Sequence, residues 1–400
     1  MRTTRLMIVL SMLLFAPQSI AQSGRLEQTR TNHYRLLTDL DRQTAKDIAE
    51  HMDAVFEEYE RLLSAFGIRN SRPMSMHVFR TQERYLNYLK DKQVDGTNTG
   101  GIFFVKGSSA GLAAWVGAQG RDRMFQVLQH EGFHQFAYLR IGTKVPVWVN
   151  EGLAEYFSEA IMVRGRFQSG LVEASRLERV VNAIKDEEWF GFEKLFTMSG
   201  EQWNRRLASG DPLASLQYDQ SWSIVHFLIH AENGKYEDLL MDLLRKVAQG
   251  MGRRRAMVDT FGDDMEPFEE AWKEYMLELE PDALSTLRLR LEFMAYALKK
   301  LHENDIEVDS IDQLKNILRM NHFTYTRIQG GQRIVLDSAD DENFQVPRDK
   351  GSSRKATIEI VNGDDPDLPP QIRVKGFRPE VSVVWRVDDE GQISPEFVYR

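Results

Sequence analysis

From Asp122 to about residue 320, apolar residues recur at three- and four-residue spacing with Gly and Pro punctuation, and this limits the fold more than any other feature. The pattern predicts helices over 122–140, 147–162, 174–187, 218–232, 236–249, 267–279 and 283–303, with another near 310–320. The region from 122 to 320 must therefore be mostly helices packed on helices. Upstream the pattern is mixed. His33–Thr38 and Met74–Phe79 alternate like strands, and Gly100–Val105 and Gly111–Val116 read as an aromatic-rich hairpin. Ala45, Ile48, Met52, Val55, Tyr59, Leu62 and Phe66 step along one helix face that starts after Asp39 or Asp41 and stops at Gly67. Glu83–Lys90 reads as a short helix. Downstream, Phe323–Ile328, Gln332–Leu336, Ala356–Val361, Gln371–Val374 and Glu380–Val387 are strand-like, with Asp337–Lys355 as an exposed polar linker. The expected class is α+β: a sheet-containing part (22–120), a helical part (121–282) and a small α+β module (283–400). No repeat of 20–50 residues is present, which excludes a solenoid.

Met1–Gln22 reads as a secretory signal: Arg2 and Arg5, an apolar run from Leu6 to Ala16, and Ser19-Ile20-Ala21 as a small-x-small site with cleavage after Ala21. The run falls short of the ~20 residues that span a bilayer, so the expectation is an exported chain, periplasmic or secreted, with no membrane span after signal removal. The chain has 51 basic and 60 acidic residues, net −9, or −11 once Arg2 and Arg5 are gone. That balance excludes a general nucleic-acid binder. Cysteine is absent, which removes disulfides, thiol nucleophiles, iron–sulfur clusters and thiolate zinc sites together. Any metal must rely on carboxylates and on the nine histidines.

Two of those histidines stand in His130-Glu131-Gly132-Phe133-His134, an HExxH sequence inside the helix expected over 122–140. Spacing of i and i+4 puts both imidazoles on one face, close enough to share a cation, with Glu131 beside them. Gly142 and Pro146 then mark a turn that sends a second helix back past the first, carrying Asn150-Glu151-Gly152-Leu153-Ala154-Glu155. Glu151 is placed to be a third ligand, which leaves a tetrahedral zinc one open position. Glu155, one turn on, is placed to orient a ligand imidazole. The remaining clusters favour bland readings: Arg253–Arg255 as a solvated loop, Asn362–Asp367 as a surface loop rather than a calcium site, and His33, His51, His77, His302 and His322 as isolated residues.

The HEGFH sequence followed by WVNEGLAEYF resembles the gluzincin metallopeptidases, the clan of thermolysin and the alanyl aminopeptidases, and above all the peptidase-MA-like domains of exported bacterial proteins. The similarity extends over roughly residues 30–280. It implies a thermolysin/alanyl-aminopeptidase-like catalytic domain, a small sheet followed by a mostly helical part, holding one Zn²⁺ per chain on His130, His134 and Glu151. Glu131 is then the general base and Glu155 the residue behind a ligand. The implied chemistry is hydrolysis of a peptide bond in which zinc activates water and polarises the carbonyl while Glu131 moves the proton. Tyr218 is the first candidate for the oxyanion partner, and the i, i+4 pair His226 and His230 the second. A substrate strand would add along Ile102–Val105 or Leu112–Trp115. No acidic residue lies between Gly96 and Gly120, so the anchor that holds a free amino terminus in aminopeptidases is missing and an endopeptidase is favoured. Residues 283–400 have no counterpart in the resemblance and are assigned a docking role toward substrate or the cell envelope. The rival readings are an inactive zinc-containing envelope binding protein and a zinc amidase acting on cell-wall cross-links.

Overall fold

The computed structural model describes residues 26–66, 73–107, 109–116, 121–209, 211, 213–329, 332–348, 355–388 and 391–400. The expected signal peptide and the Gly67 stop lie outside them. The chain is mixed α+β. It opens with β1 (Glu27–Arg30), β2 (Tyr34–Thr38), α1 (Arg42–Leu62), β3 (Met74–Phe79), α2 (Gln82–Asp91), β4 (Gly101–Lys106) and β5 (Ser109–Trp115). The five strands form one sheet in the order β1-β2-β3-β5-β4. The inner strands β2, β3 and β5 run parallel, and β1 and β4 close the edges antiparallel. Of the two expected substrate rails, Leu112–Trp115 is therefore corrected: it lies in β5, hydrogen-bonded to β3 on one side and β4 on the other, whereas Ile102–Val105 lies in β4, an edge strand of the sheet among the described residues.

Helix α1 is capped by Asp41, whose carboxylate accepts from Thr44 N–H. Its predicted stripe from Ala45 to Leu62 is the buried face. Phe66 is a correction, since the α-helix ends at Leu62 and Phe66 falls in a one-turn 3₁₀ segment. Against this stripe lies α3 (Arg121–Arg140), followed after Gly142 (φ +106°) by α4 (Val147–Ser158). The Gly142 backbone lies in the left-handed region, which favours glycine and turns α4 back along α3.

The expected helix over 147–162 stops four residues early. Ile161–Val163 and Arg166–Gln168 form the small hairpin β6 and β7, turned at Arg164 and Gly165, both with positive φ. Then follow α5 (Ala174–Lys185), α6 (Phe192–Thr197), α7 (Gly200–Ala208), α8 (Ala214–His230), α9 (Glu237–Ala248), α10 (Arg253–Phe261) and α11 (Glu266–Glu278). Helices α6, α7 and α10 were not foreseen. Arg253–Arg255 form the first turn of α10 rather than a loop, with Arg254 and Arg255 still largely solvated.

One core runs from Tyr34 to Met276 and joins the sheet to the helices. A second core gathers α12 (Ala283–His302), α13 (Ile311–Met320), the hairpin β8 (Thr324–Gln329) and β9 (Gln332–Asp337), and the antiparallel sheet β10 (Thr357–Val361), β11 (Gln371–Lys375), β12 (Val381–Val387) and β13 (Ile393–Tyr399). Part of the expected exposed linker is ordered instead: Asp341–Phe344 makes a 3₁₀ turn, and Phe344 is buried in this second core. The two bodies meet through Ile161 and Leu171, which pack into the second core, and through Asp47 of α1, which accepts from Arg121 (2.8 Å) and Arg386 (2.8 Å). Among the described residues no helix is long and apolar enough to cross a membrane.

Candidate metal centre

His130 and His134 lie one turn apart on α3, with the apolar faces of that helix committed to the core through Leu128, Phe133 and Phe136. Gly132 keeps this helix close to α1: a Cβ there would stand 2.7 Å from Met52 Cε and 3.2 Å from the Tyr59 hydroxyl. The second helix is held as tightly. A Cβ on Gly152 would stand 2.4 Å from the Ser221 carbonyl oxygen, so α4 crosses α8 at backbone contact and presents Glu151 to α3.

Three ligand atoms converge. His130 Nε2 and His134 Nε2 are 3.1 Å apart, and Glu151 Oε2 is 3.6 Å from the first and 3.5 Å from the second. Donors on a tetrahedral ion at about 2.1 Å are separated by about 3.4 Å, and these three separations average to that figure. Among the described residues this is the group of His and carboxylate side chains that could hold a metal ion. All three side chains are partly buried, between 12% and 17% exposed, so an ion here would be reached from one side.

The supporting contacts fix each ligand. Asn150 Nδ2 lies 2.8 Å from His134 Nδ1, and Glu155 Oε1 lies 3.5 Å from His130 Nδ1. The other ring nitrogen of each histidine is thus engaged, which aims Nε2 at the shared point. Glu155 is in turn held by Arg176 of α5, whose Nη2 is 2.6 Å from Oε2. Arg176 is 2% exposed and also faces Asp219 (3.4 Å) and Glu159 (3.9 Å). Arg179 completes the cluster with a bidentate pair to Asp219 at 2.7 and 3.0 Å. Of these partners Glu155 was foreseen, whereas Asn150, Arg176 and Asp219 were missed. Asn150 carried a usable signal, since it stands beside Glu151 at the head of the second helix.

Burial alone would push the His134 imidazolium down, but the neighbouring Glu151 and Glu131 carboxylates and the hydrogen bonds at both nitrogens outweigh it and raise its pKa to about 9. Glu151 is the mirror case: burial favours its neutral form, and His134 and His130 hold it far below the usual carboxylate range. Burial likewise opposes ionisation of Glu155, and Arg176 and His130 overcome it.

Glu131 follows His130 on α3, its charge acts on His134, and its Oε2 accepts the backbone N–H of Phe103 at 2.7 Å. That N–H belongs to the edge strand β4, so the carboxylate beside His130 is tied to a sheet edge. Tyr218 stacks edge-on against Trp203 at 5.0 Å. Burial first, and then the charges of Glu151, Glu155 and Glu131, keep its phenol neutral well beyond the ordinary range, so it stays a hydrogen-bond donor. His226 and His230 are engaged elsewhere. His226 Nδ1 meets the Tyr275 hydroxyl at 3.1 Å and its Nε2 the Gly170 carbonyl at 3.3 Å, while His230 Nε2 meets the Tyr156 hydroxyl at 3.0 Å. Both read as packed helix-face histidines.

Residues 125–250, just under a third of the chain, match a family described as "Protein of unknown function (DUF1570)". The matched stretch contains His130, Glu131, His134, Glu151, Glu155 and Tyr218. No curated protein matches the sequence.

Proposed function

We propose that this chain is an exported, zinc-dependent metallopeptidase of the gluzincin type that cleaves within peptide chains. The observation that carries the reading is the spacing of His130 Nε2, His134 Nε2 and Glu151 Oε2, three donors of the kind zinc prefers at the separations its tetrahedral radius requires. Two imidazoles and one carboxylate fit that ion and leave a position open. When bound there, Zn²⁺ supplies Lewis-acid activation of water and of the scissile carbonyl.

The rest of the work belongs to the protein. The Phe103 N–H holds Oε2 of Glu131, which leaves Oε1 to take a proton from the attacking water and hand it to the leaving amine. Tyr218 donates to the carbonyl oxygen as negative charge develops on it. The open edge of β4 takes the substrate as an added antiparallel strand, so the scissile bond is presented beside Glu131 by main-chain hydrogen bonds rather than by an end group. This mode of presentation, and the missing acidic anchor between Gly96 and Gly120, favour internal bonds. Export rests on the leader sequence alone. Residues 22–282 would form the catalytic body and 283–400 an accessory module that docks substrate or an envelope component.

The test pairs elemental analysis with hydrolysis of a mixed peptide library, for the wild type and Glu131→Gln. One zinc per chain in both proteins, with cleavage by the wild type and a loss of at least a hundredfold in the variant, is the expected result. A purified chain that takes up no zinc overturns the metal assignment, and zinc without cleavage in the wild type overturns the peptidase.

A further inference from the structure

A cavity of about 940 Å³ lies between the two bodies, away from the residues of the metal centre. Its walls come from the start of α1, the first turn and a half of α3, the second half of α12, β8, and the facing parts of β12 and β13. The volume is at the upper end of what single-ligand pockets hold and accommodates a peptide of four or five residues.

Three features of the wall describe the occupant. The first is charge: among the described residues seven basic and four acidic side chains line it, in a chain whose net charge is −9. Arg386 and Arg121 share Asp47, Arg327 is paired with Glu292, and Lys299 and Lys300 share Glu303. Arg123 differs from these. Its hydrogen bond goes to the neutral Gln126 amide at 3.1 Å, with Arg327 bonded to the same oxygen, and among the described residues no carboxylate lies within ion-pair distance of it. Glu159 and Glu155 act on it only from beyond that distance and burial outweighs them, so the guanidinium keeps room for an anion in direct contact. The second feature is apolar surface: Tyr296, 42% exposed, Tyr325 and Phe397 form an aromatic wall. The third is backbone. Among the described residues β8 pairs only with β9 and β13 closes one end of its sheet, so Thr324–Arg327 and Ile393–Phe397 bring two strands with a free edge each to the same cavity.

We propose that this cavity is a second binding site, taking an extended peptide segment with a carboxylate on Arg123 and an apolar side chain against Tyr296. Free edges favour a peptide over a small organic acid, which could use the arginine but not the strands.

The site is wired to the metal centre by buried side chains. Gln126, which orients Arg123, donates to Glu159 at 3.2 Å, and Glu159 and Glu155 share Arg176. Glu155 stands behind His130. Neutralising Arg123 thus changes the field along a continuous polar row that ends on a ligand imidazole. This second step rests on the metal assignment above, whereas the binding step does not.

The test uses the full chain in EDTA, which prevents cleavage, and equilibrium dialysis of two probes: a pool of N-acetylated tetrapeptides with free C-terminal carboxylates and the same pool amidated. The free acids are expected to bind at least tenfold more tightly than the amides. Arg123→Gln removes that preference, and Tyr296→Ala weakens both pools severalfold. Arg123 and Tyr296 line this cavity and β4 does not, so these two variants separate it from the cleft beside that strand. Tyr296→Ala also carries the test should Arg123→Gln fail to fold, because its ring is exposed. Equal binding of acids and amides, binding untouched by either substitution, or no binding of either pool overturns the proposal. A separate readout addresses the coupling: the free-acid pool shifts zinc affinity, measured by chelator competition, at least threefold in the wild type and not in Arg123→Gln. Binding without that shift removes the wiring and leaves the site.

Discussion

The crossing of α4 over α8 at Gly152 offers the sharpest test of how the site is held. In Gly152→Ala the new Cβ would stand 2.4 Å from the Ser221 carbonyl oxygen and 2.8 Å from both the Ser221 carbonyl carbon and Val225 Cγ2. Real Cβ contacts do not fall below 3.0 Å, so the helices must part by at least 0.6 Å. The obstruction is main chain, which cannot rotate aside as a flexible side chain would. Overpacking of this kind costs about 1–3 kcal/mol, and a backbone clash belongs at the upper end, near 3 kcal/mol. The displacement also reaches the site, because Glu151 is the preceding residue and its carboxylate must stay near the two imidazoles of α3. Metal bonds tolerate about 0.2 Å, so a shift three times larger is expected to lower zinc affinity at least tenfold. Urea unfolding in EDTA measures the stability, and competition with a chromophoric chelator measures the affinity. Gly132→Ala is the internal control: its nearest contacts are the tips of Met52 and Tyr59, which can move, so its cost should be smaller. A Gly152→Ala protein within 0.5 kcal/mol of the wild type and equal to it in zinc affinity would refute the claim that this contact positions Glu151.

Other predictions follow from the neighbouring contacts. Asn150→Ala frees His134 Nδ1 and is expected to weaken zinc binding about 10–100-fold with little change in stability in EDTA, as chelator competition and urea melts will show. Arg176→Met leaves Glu155 and Asp219 buried beside a neutral side chain and should cost about 3–5 kcal/mol in the same melts; a loss under 1 kcal/mol would mean the cluster is not carrying its charges as described. Tyr218→Phe should retain one zinc by elemental analysis yet lose about a hundredfold in kcat for peptide cleavage, because it removes a donor and keeps the ring. Burial lowers the pKa of His51 and of His77 to about 4 and that of His226 to about 3. The unfolded chain takes up these protons near pH 6.5 and the folded chain does not, so stability from these groups is whole above pH 6.5 and falls as pH drops toward 4. The expected loss is up to about 3 kcal/mol per residue, and His51→Gln should flatten part of that slope in urea melts at pH 7, 5.5 and 4.5.

What the sequence disclosed about the site is what lies close along the chain. His130 and His134 share a helix, and Glu151 follows seventeen residues later, in the second turn of the next helix, so the spacing and the turn between bring all three together. Arg176 lies on a different helix and has the same composition signal as any solvated arginine; only its burial and its bond to Glu155 distinguish it. The misread elements have similar causes. Ala160, Ile161 and Met162 continue the apolar period of α4, but Arg164 and Gly165 take positive φ and fold the segment into a hairpin. Arg253–Arg255 form a charge cluster at a Gly-rich turn, the pattern of a solvated loop, and packing of Ala256 and Met257 draws them into the first turn of α10 although three cations there oppose the helix dipole. β13 escaped notice because Pro395 and the polar residues around it hide the alternation that its pairing with β12 supplies.

The open edge of β4 has a cost for the molecule in solution. Gly101–Lys106 is a short, mostly apolar strand with one face of its hydrogen-bonding groups unpaired and Val105 42% exposed, which is also the description of a segment that pairs with its own kind. The Phe103 N–H is withdrawn by Glu131, and Lys106 places a charge at the strand end, two features that blunt such pairing. If β4 captures substrate strands as proposed, the same adhesive edge requires the chain to stay dilute or occupied. Its tendency to assemble edge to edge at high concentration would compete directly with its ability to take in a peptide.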